Sequence, residues 1–139
     1  LGYRAVYFNA RDRSGQAIYH TNVMMCVAEQ FAVICLESIN DPAEKSAVRE
    51  SLKNTGHRVI PISFSQMTNF AGNMLALKNK QGSDLLILSQ SAYDCLSDEQ
   101  KQNISAFCKM VPVPIRLIET IGGGSARCMI AEIFLPLKK

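Results

Sequence analysis

The chain of 139 residues is 47% hydrophobic and 19% charged, with a formal net charge of +3. This balance predicts one globular domain with a hydrophobic core. Lysine and arginine are scattered, which argues against a nucleic-acid partner, and no apolar run is long enough to span a membrane. The first predicted element is a strand at 3–10, rich in β-forming residues, and a turn follows at 11–16.

Two further strands are predicted at 17–28 and 31–39, and the tight bend between them favours a hairpin. The sequence enters its first strand at once, and Leu1 is not an initiator residue. We therefore expect the chain to be part of a longer protein, with residues 1–139 forming a single region of it.

The clearest helix is predicted at 41–56. Asp41 can accept hydrogen bonds from the first turn, and Glu44 lies three residues later, which is the spacing of a capping box. Gly56 is placed to end the helix, because glycine adopts the left-handed conformation found after a helix.

The order of elements then repeats. A strand at 58–63 completes a ββαβ unit over 17–63, and a second such unit is predicted over 73–119. Its parts are strands at 73–79 and 84–89, a helix at 97–110 and a closing strand at 113–119. The predicted fold class is therefore α/β (α+β) with repeated ββαβ units. The strands at 3–10 and 127–135 remain outside as half-units.

Three consecutive glycines, Gly122 to Gly124, precede Arg127 and Cys128. A phosphate-binding loop needs a helix after its glycines, whereas here an apolar run follows, and neither GxGxxG nor GxxxxGK[ST] is present. Two alternatives stay open, namely a tight turn and a loop that clears space beside a reactive sulfur.

The five cysteines lack the CxxC spacing of zinc or redox motifs, and reduced thiols predict a cytoplasmic location. Cys128 differs from the others because it follows a flexible loop and Arg127, whose charge would favour the thiolate. The alternative is a half-buried structural thiol.

The sequence has two histidines. His57 follows the end of a predicted helix, where a surface imidazole is common. His20 lies within a predicted strand, where it would share a face with Asn22 and Met24. It is either a structural histidine or the partner of Cys128 in a Cys/His couple for covalent catalysis.

The segments YHTNVMMCVAEQFAVICLESI (19–39), NFAGNMLAL (69–77) and ETIGGGSARCMIAEIFLP (119–136) resemble the C-terminal half of arginine-deiminase-related, amidinotransferase-like proteins of the pentein superfamily. The nearest branch by resemblance is the citrulline-utilisation-type hydrolases, and the resemblance covers essentially the whole chain. It implies a pseudo-five-fold α/β propeller of ββαβ blades, which accounts for the two half-units.

The resemblance also implies an enzyme, a hydrolase or amidinotransferase that acts on guanidino or ureido C–N bonds without a metal or cofactor. Cys128 would attack the central carbon, and His20 would protonate the leaving nitrogen and then activate water or an amine. The substrate-binding residues would be Asn22, Asn73, Gly123, Gly124 and Arg127.

One position departs from the pattern of many deiminases, which carry a carboxylate where this chain has the neutral Asn22. The other carboxylates that hold a guanidinium would lie in an N-terminal half, so a partner half or self-association through open strand edges is expected. Glu119 and Glu132 are candidates near the loop. The alternative function is a non-catalytic fragment or binding module of a larger assembly.

Overall fold

The computed structural model describes Gly2 and residues 4–132. Its centre is a pair of three-stranded sheets with the same topology, each with an antiparallel pair and then a parallel pair. The first sheet contains β1 (Met25–Val27), β2 (Phe31–Ile34) and β3 (Arg58–Pro61), in that order. The second contains β4 (Leu75–Lys78), β5 (Asp84–Ser89) and β6 (Lys109–Val113).

Each sheet needs a helical crossover, because its last two strands run parallel. In the first unit the crossover is α2 (Pro42–Asn54), and in the second it is α4 (Gln90–Cys95) followed by α5 (Asp98–Ser105). The middle strand β2 is buried along its whole length, as its unbroken apolar sequence indicates. The two predicted ββαβ units are thus present in a mixed α/β fold.

The predicted helix at 41–56 is confirmed as α2, although the capping box is incomplete. Asp41 Oδ1 accepts hydrogen bonds from the backbone N–H groups of Ala43 and Glu44. The Glu44 carboxylate turns instead to Asn9, accepting from its backbone N–H and its side-chain amide. Gly56 has a φ of 85° after the helix end, as expected for its role.

The predicted capping box of Ser97 and Gln100 is confirmed at the start of α5, and the same device opens α3 (Phe64–Thr68) with Ser63 and Gln66. The two glutamines also contact each other. Gln66 Nε2 lies 2.7 Å from Gln100 Oε1, and Gln100 Nε2 donates to the Pro61 carbonyl at 2.7 Å. This joint connects the two ββαβ units.

The predicted strand at 3–10 is wrong for the described residues. Only Ala10 pairs, in an isolated bridge with Ile39, and the predicted turn at 11–16 is closed by a bridge between Arg11 and Ala17. The predicted strand at 17–28 is reduced to β1, because residues Thr21–Met24 form a short helix, α1. The pairing of β1 with β2 begins at Met25, opposite Ile34, so the β-propensity of residues 17–24 is not decisive.

The predicted strand at 113–119 is also wrong. The closing strand is β6, and residues Arg116–Gly122 form a helix, α6. A short apolar run does not distinguish strand from helix, and the pairing of Lys109–Val113 with β5 decides the matter. The helix predicted at 97–110 accordingly ends at Ser105.

The strand predicted at 127–135 begins as a 3₁₀ turn, Ala126–Met129, and residues 133–135 lie outside the described part of the chain. The strands predicted at 31–39 and 58–63 are shorter than expected, because 3₁₀ turn Leu36–Ser38 and helix α3 follow them. Within Gly2 and residues 4–132, no helix is both long and apolar enough to cross a membrane.

Candidate active site

A pocket of about 470 Å³ opens between the two units. It collects six of the seven residues that the sequence singled out. Its lining residues are His20, Asn22, Val23, Met67, Thr68, Phe70, Asn73, Gly123, Gly124 and Cys128. Arg127 is not among them.

Cys128 is the exposed cysteine of the five. It lies in the 3₁₀ turn after the glycine loop, and its backbone N–H donates to the Ser125 carbonyl at 2.9 Å. Its sulfur lies 3.3 Å from Nδ2 of Asn73 and 3.5 Å from Oδ1. The amide can therefore donate to the sulfur while the thiol remains open to the pocket.

The other cysteines have environments that suppress thiolate formation. Burial raises the pKa of Cys26 from 9.0 to about 12, an effect that the positive charge of Arg127 partly opposes. Burial likewise raises the pKa of Cys108 to about 11. Arg127 thus acts on a buried core thiol, and Cys128 is the accessible thiol of the set.

Asn73 is 4% exposed and is fixed from several directions. Its Nδ2 donates to the Asn22 carbonyl at 3.1 Å, and its own carbonyl accepts from the Arg127 N–H at 3.4 Å. Its backbone N–H donates to the Phe70 carbonyl at 2.8 Å. The residue therefore connects the wall that carries Asn22 with the turn that carries Cys128.

His20 does not lie in a strand, so the alternation of faces predicted for it is wrong. It precedes α1 in an extended conformation, with φ −113° and ψ 116°, and it is exposed. Its carbonyl accepts from the N–H of Val23, which starts the helical turn. That turn nevertheless directs His20 and Asn22 to the same pocket.

The glycine loop combines two of the interpretations left open by the sequence. Gly123 ends α6 with a φ of 67°, a left-handed conformation that suits glycine. A Cβ atom on Gly124 would lie 3.1 Å from Cys128 Cβ and 3.2 Å from its sulfur. Gly123 therefore makes the turn, and Gly124 leaves space beside the sulfur.

Four lining residues were not predicted, namely Val23, Met67, Thr68 and Phe70. Phe70 has a φ of 64°, an unusual value for a residue with an aromatic side chain, and such strain often accompanies functional sites. Gly72 was also missed, and a Cβ atom there would overlap the backbone of Val23. No sequence pattern marks either position.

The two glutamates considered near the loop have other surroundings. Glu119 is buried, and its carboxylate accepts hydrogen bonds from Ser91 and Ser125. Glu132 lines a different cavity, of about 640 Å³.

His57 forms a hydrogen bond with Thr55 beside the end of α2, as a surface histidine would. Among the described residues, no group of three or more His, Cys, Asp or Glu side chains is arranged to hold a metal ion.

Solved structures of similar fold include an arginine dihydrolase. ArgZ, an arginine dihydrolase of the ornithine-ammonia cycle in cyanobacteria, matches 95% of this chain with a TM-score of 0.64 and 18% identity, over 19% of its own length. AgrE, solved with ornithine and NAD⁺, matches 87% of the chain with a TM-score of 0.61 and 18% identity, over 16% of its length. The N-terminal domain of ArgZ, bound to product, matches 80% with a TM-score of 0.57 and 18% identity, over 36% of that chain.

At this identity the likeness shows the fold, and the chain spans about a fifth of the length of ArgZ. No curated protein sequence matches the chain significantly. The profile of one enzyme family, described as N,N dimethylarginine dimethylhydrolase, eukaryotic, matches residues 1–135. The chain therefore belongs to the eukaryotic N,N-dimethylarginine dimethylhydrolase family, which confirms the predicted relationship to arginine-deiminase-related enzymes of the pentein superfamily.

Proposed function

We propose that this chain carries the cysteine and histidine of an amidinohydrolase that cleaves a C–N bond of a guanidino compound, with Cys128 as the nucleophile. One observation supports this assignment above the others. The exposed Cys128 shares a pocket with His20, and its sulfur lies 3.3 Å from the amide nitrogen of the buried Asn73. An accessible thiol beside a hydrogen-bond donor and an imidazole is the arrangement that thiolate chemistry needs.

In the proposed reaction the Cys128 thiolate attacks the central guanidino carbon and forms a C–S bond. His20, as imidazolium, gives its proton to the substituted nitrogen, which leaves as an amine when its C–N bond breaks. Neutral His20 then takes a proton from water, whose oxygen attacks the same carbon. Cleavage of the C–S bond returns the thiolate and releases a ureido product, so that the net reaction consumes one water.

The surrounding residues have separate roles in this scheme. Asn73 orients the sulfur, and Gly124 leaves room for a planar substrate to approach it. Asn22 and Gly123 would contact the substrate from the two walls of the pocket. Arg127 lies outside the lining, so we assign it to the turn and its core contact rather than to substrate.

The charge of the substrate requires a further component. Among the described residues that line the pocket, none is acidic, and Asn22 is neutral. Removing a guanidinium ion from water costs free energy. A pocket without a carboxylate would leave much of that cost uncompensated. We therefore propose that carboxylates from another part of the protein complete the site, with the two ββαβ units forming part of a five-bladed propeller.

The name of the family suggests N,N-dimethylarginine as the substrate, with dimethylamine as the leaving amine.

The test uses the full-length protein with N,N-dimethylarginine and with arginine. Release of dimethylamine or ammonia is measured, and acid-quenched samples are digested and searched by mass spectrometry for a substrate adduct on Cys128. We expect an adduct on Cys128 and none on Cys95, the half-buried control thiol. Turnover that persists in Cys128→Ala would overturn the covalent mechanism. Binding without turnover or adduct would favour the binding-module alternative.

A further inference from the structure

A buried carboxyl group lies behind the glycine loop, outside the pocket lining. Glu119 belongs to α6 and is 6% exposed. Its Oε2 accepts a hydrogen bond from Ser91 Oγ at 2.8 Å, and its Oε1 accepts one from Ser125 Oγ at 2.7 Å. Glutamate is rarely so buried unless its oxygens have partners. Both oxygens are engaged by hydroxyl groups, so the side chain serves the loop rather than a cation.

The hydrogen bonds continue from Glu119 to the nucleophile. Ser125 is 0% exposed, and its carbonyl accepts the backbone N–H of Cys128 at 2.9 Å. The backbone carbonyl of Glu119 accepts the N–H of Gly123 at 3.2 Å. One residue thus holds the loop at two points, with Gly124 between them.

The other anchor of Glu119 belongs to the second sheet. Ser91 lies in the first turn of α4, directly after β5, and Ser89 caps that helix through a bond from the Ala92 N–H at 3.1 Å. Ser89 is 0% exposed. A glycine-rich loop is flexible on its own. The Glu119 carboxyl group anchors this loop to the start of α4, next to the buried end of β5.

We propose that Glu119 is a positioning residue for Cys128, and this inference rests on the proposed covalent role of that cysteine. Its carboxyl group fixes the segment from Gly123 to Cys128, so that the sulfur stays beside Asn73 and faces the pocket. A displacement of about 1 Å at a reacting group can cost roughly 10²-fold in rate. A carboxyl group suits the task because it accepts from two hydroxyls at once.

Three variants of the full-length protein test the proposal. Glu119→Ala leaves both serine hydroxyls without their acceptor, and we expect kcat to fall roughly 10- to 10²-fold while KM changes less than about threefold. Glu119→Gln keeps an acceptor for Ser125 and can donate to Ser91, so it should retain most of kcat. Ser125→Ala should resemble Glu119→Ala, and the double variant should lose little more than the worse single one.

Glu44 provides a matched control. Its carboxylate also accepts two hydrogen bonds, both from Asn9, and it lies outside the pocket lining. Glu44→Ala removes a comparable pair of bonds, and we expect kcat to stay at the wild-type value. A role confined to folding would instead lower stability in both variants while the folded enzyme kept its kcat.

The alkylation rate of Cys128 with iodoacetamide separates this inference from the proposed function. It is measured by mass spectrometry on folded protein and needs no turnover. Loss of the Asn73 contact should slow alkylation about threefold or more in Glu119→Ala and Ser125→Ala, and not in Glu119→Gln. A wild-type protein without turnover would refute the proposed function only. Wild-type kcat and alkylation in Ser125→Ala, or in a folded Glu119→Ala, would overturn the positioning role.

Discussion

The side-chain amide of Asn73 bridges the backbone carbonyl of Asn22 and the sulfur of Cys128, at 3.1 and 3.3 Å. The two residues so connected are 106 positions apart in the sequence, the difference between 128 and 22. Asn73 is buried, so its amide is oriented before any ligand arrives. One side chain therefore holds the opposite walls of the pocket in fixed positions.

Replacing Asn73 should change the reactivity of the thiol. Asn73→Ala removes the donor, and Asn73→Asp replaces it with a carboxylate that disfavours a neighbouring thiolate. We expect alkylation of Cys128 at pH 7 to slow in both variants, by roughly tenfold in Asn73→Asp. Asn69→Asp is the control, because the Asn69 amide bonds the Ser65 carbonyl outside the pocket. Equal rates in Asn73→Asp and Asn69→Asp would contradict the assignment.

A methyl group at Gly124 should crowd the sulfur. The added Cβ would lie 3.1 to 3.2 Å from Cys128 atoms, which is tighter than ordinary contact. We expect Gly124→Ala to slow alkylation of Cys128 and to raise KM for a guanidino substrate, with a modest loss of stability. Gly122→Ala is matched to it, because its Cβ would meet only the Ile118 side chain, at 3.9 Å. The interpretation fails if both variants behave alike.

Two cysteine-to-serine changes should have opposite effects. Cys128→Ser replaces an exposed thiol, so the free energy of unfolding should change by less than about 0.5 kcal/mol while turnover is lost. Cys108→Ser buries a hydroxyl, at a cost within roughly 1–3 kcal/mol. The low end is expected, since the Ile104 carbonyl lies 3.7 Å from the Cys108 sulfur and can accept from serine. Urea unfolding and turnover of each full-length variant provide the check.

Stability should decrease above pH 9 because of Cys26. Burial raises its pKa from 9.0 to about 12, so the folded state holds the thiol proton more tightly than the unfolded chain does. The resulting stabilisation is fully present below pH 9 and is lost as the pH rises towards 12. Urea unfolding at pH 8 and pH 10.5 should show a smaller decrease in Cys26→Ala than in wild type. The same decrease in both would rule out this thiol as a cause.

Local signals predicted the repeated ββαβ order and the start of α5, because capping residues and alternating patterns act over a few neighbouring positions. These signals failed where the structure depends on which stretch pairs with a neighbouring strand. The stretch at 116–122 is apolar enough for a strand, yet β5 pairs with Lys109–Val113 and leaves it to form α6. The stretch at 21–24 forms a helical turn, and the pairing of β1 with β2 begins only after it, with Met25 opposite Ile34.

The residues of the pocket were found through resemblance rather than through geometry. The sequence offered Cys128 and His20 as a couple, and the structure places both in one pocket, while their chemical roles remain a proposal. Nothing in the sequence indicates that Phe70 adopts a positive φ or that Glu119 is buried against two serines. Phe70 lies just after the end of α3, where its N–H donates to the Met67 carbonyl. The contact of Glu119 with Ser91 joins segments 28 positions apart, a distance over which sequence patterns carry no signal.

The paired glutamines at the starts of α3 and α5 should make local unfolding of one ββαβ unit affect the other. Gln100 completes a cap in the second unit and donates to Pro61 of the first, and it exchanges hydrogen bonds with Gln66, which completes the cap of the helix between the units. When one helix start frays, the neighbouring unit loses a partner as well, as at the interfaces between repeats in solenoid proteins. Met67 and Thr68, which line the pocket, directly follow Gln66 in α3. A local opening at the start of α5 would therefore reach the pocket wall through two side chains, without any separation of the sheets.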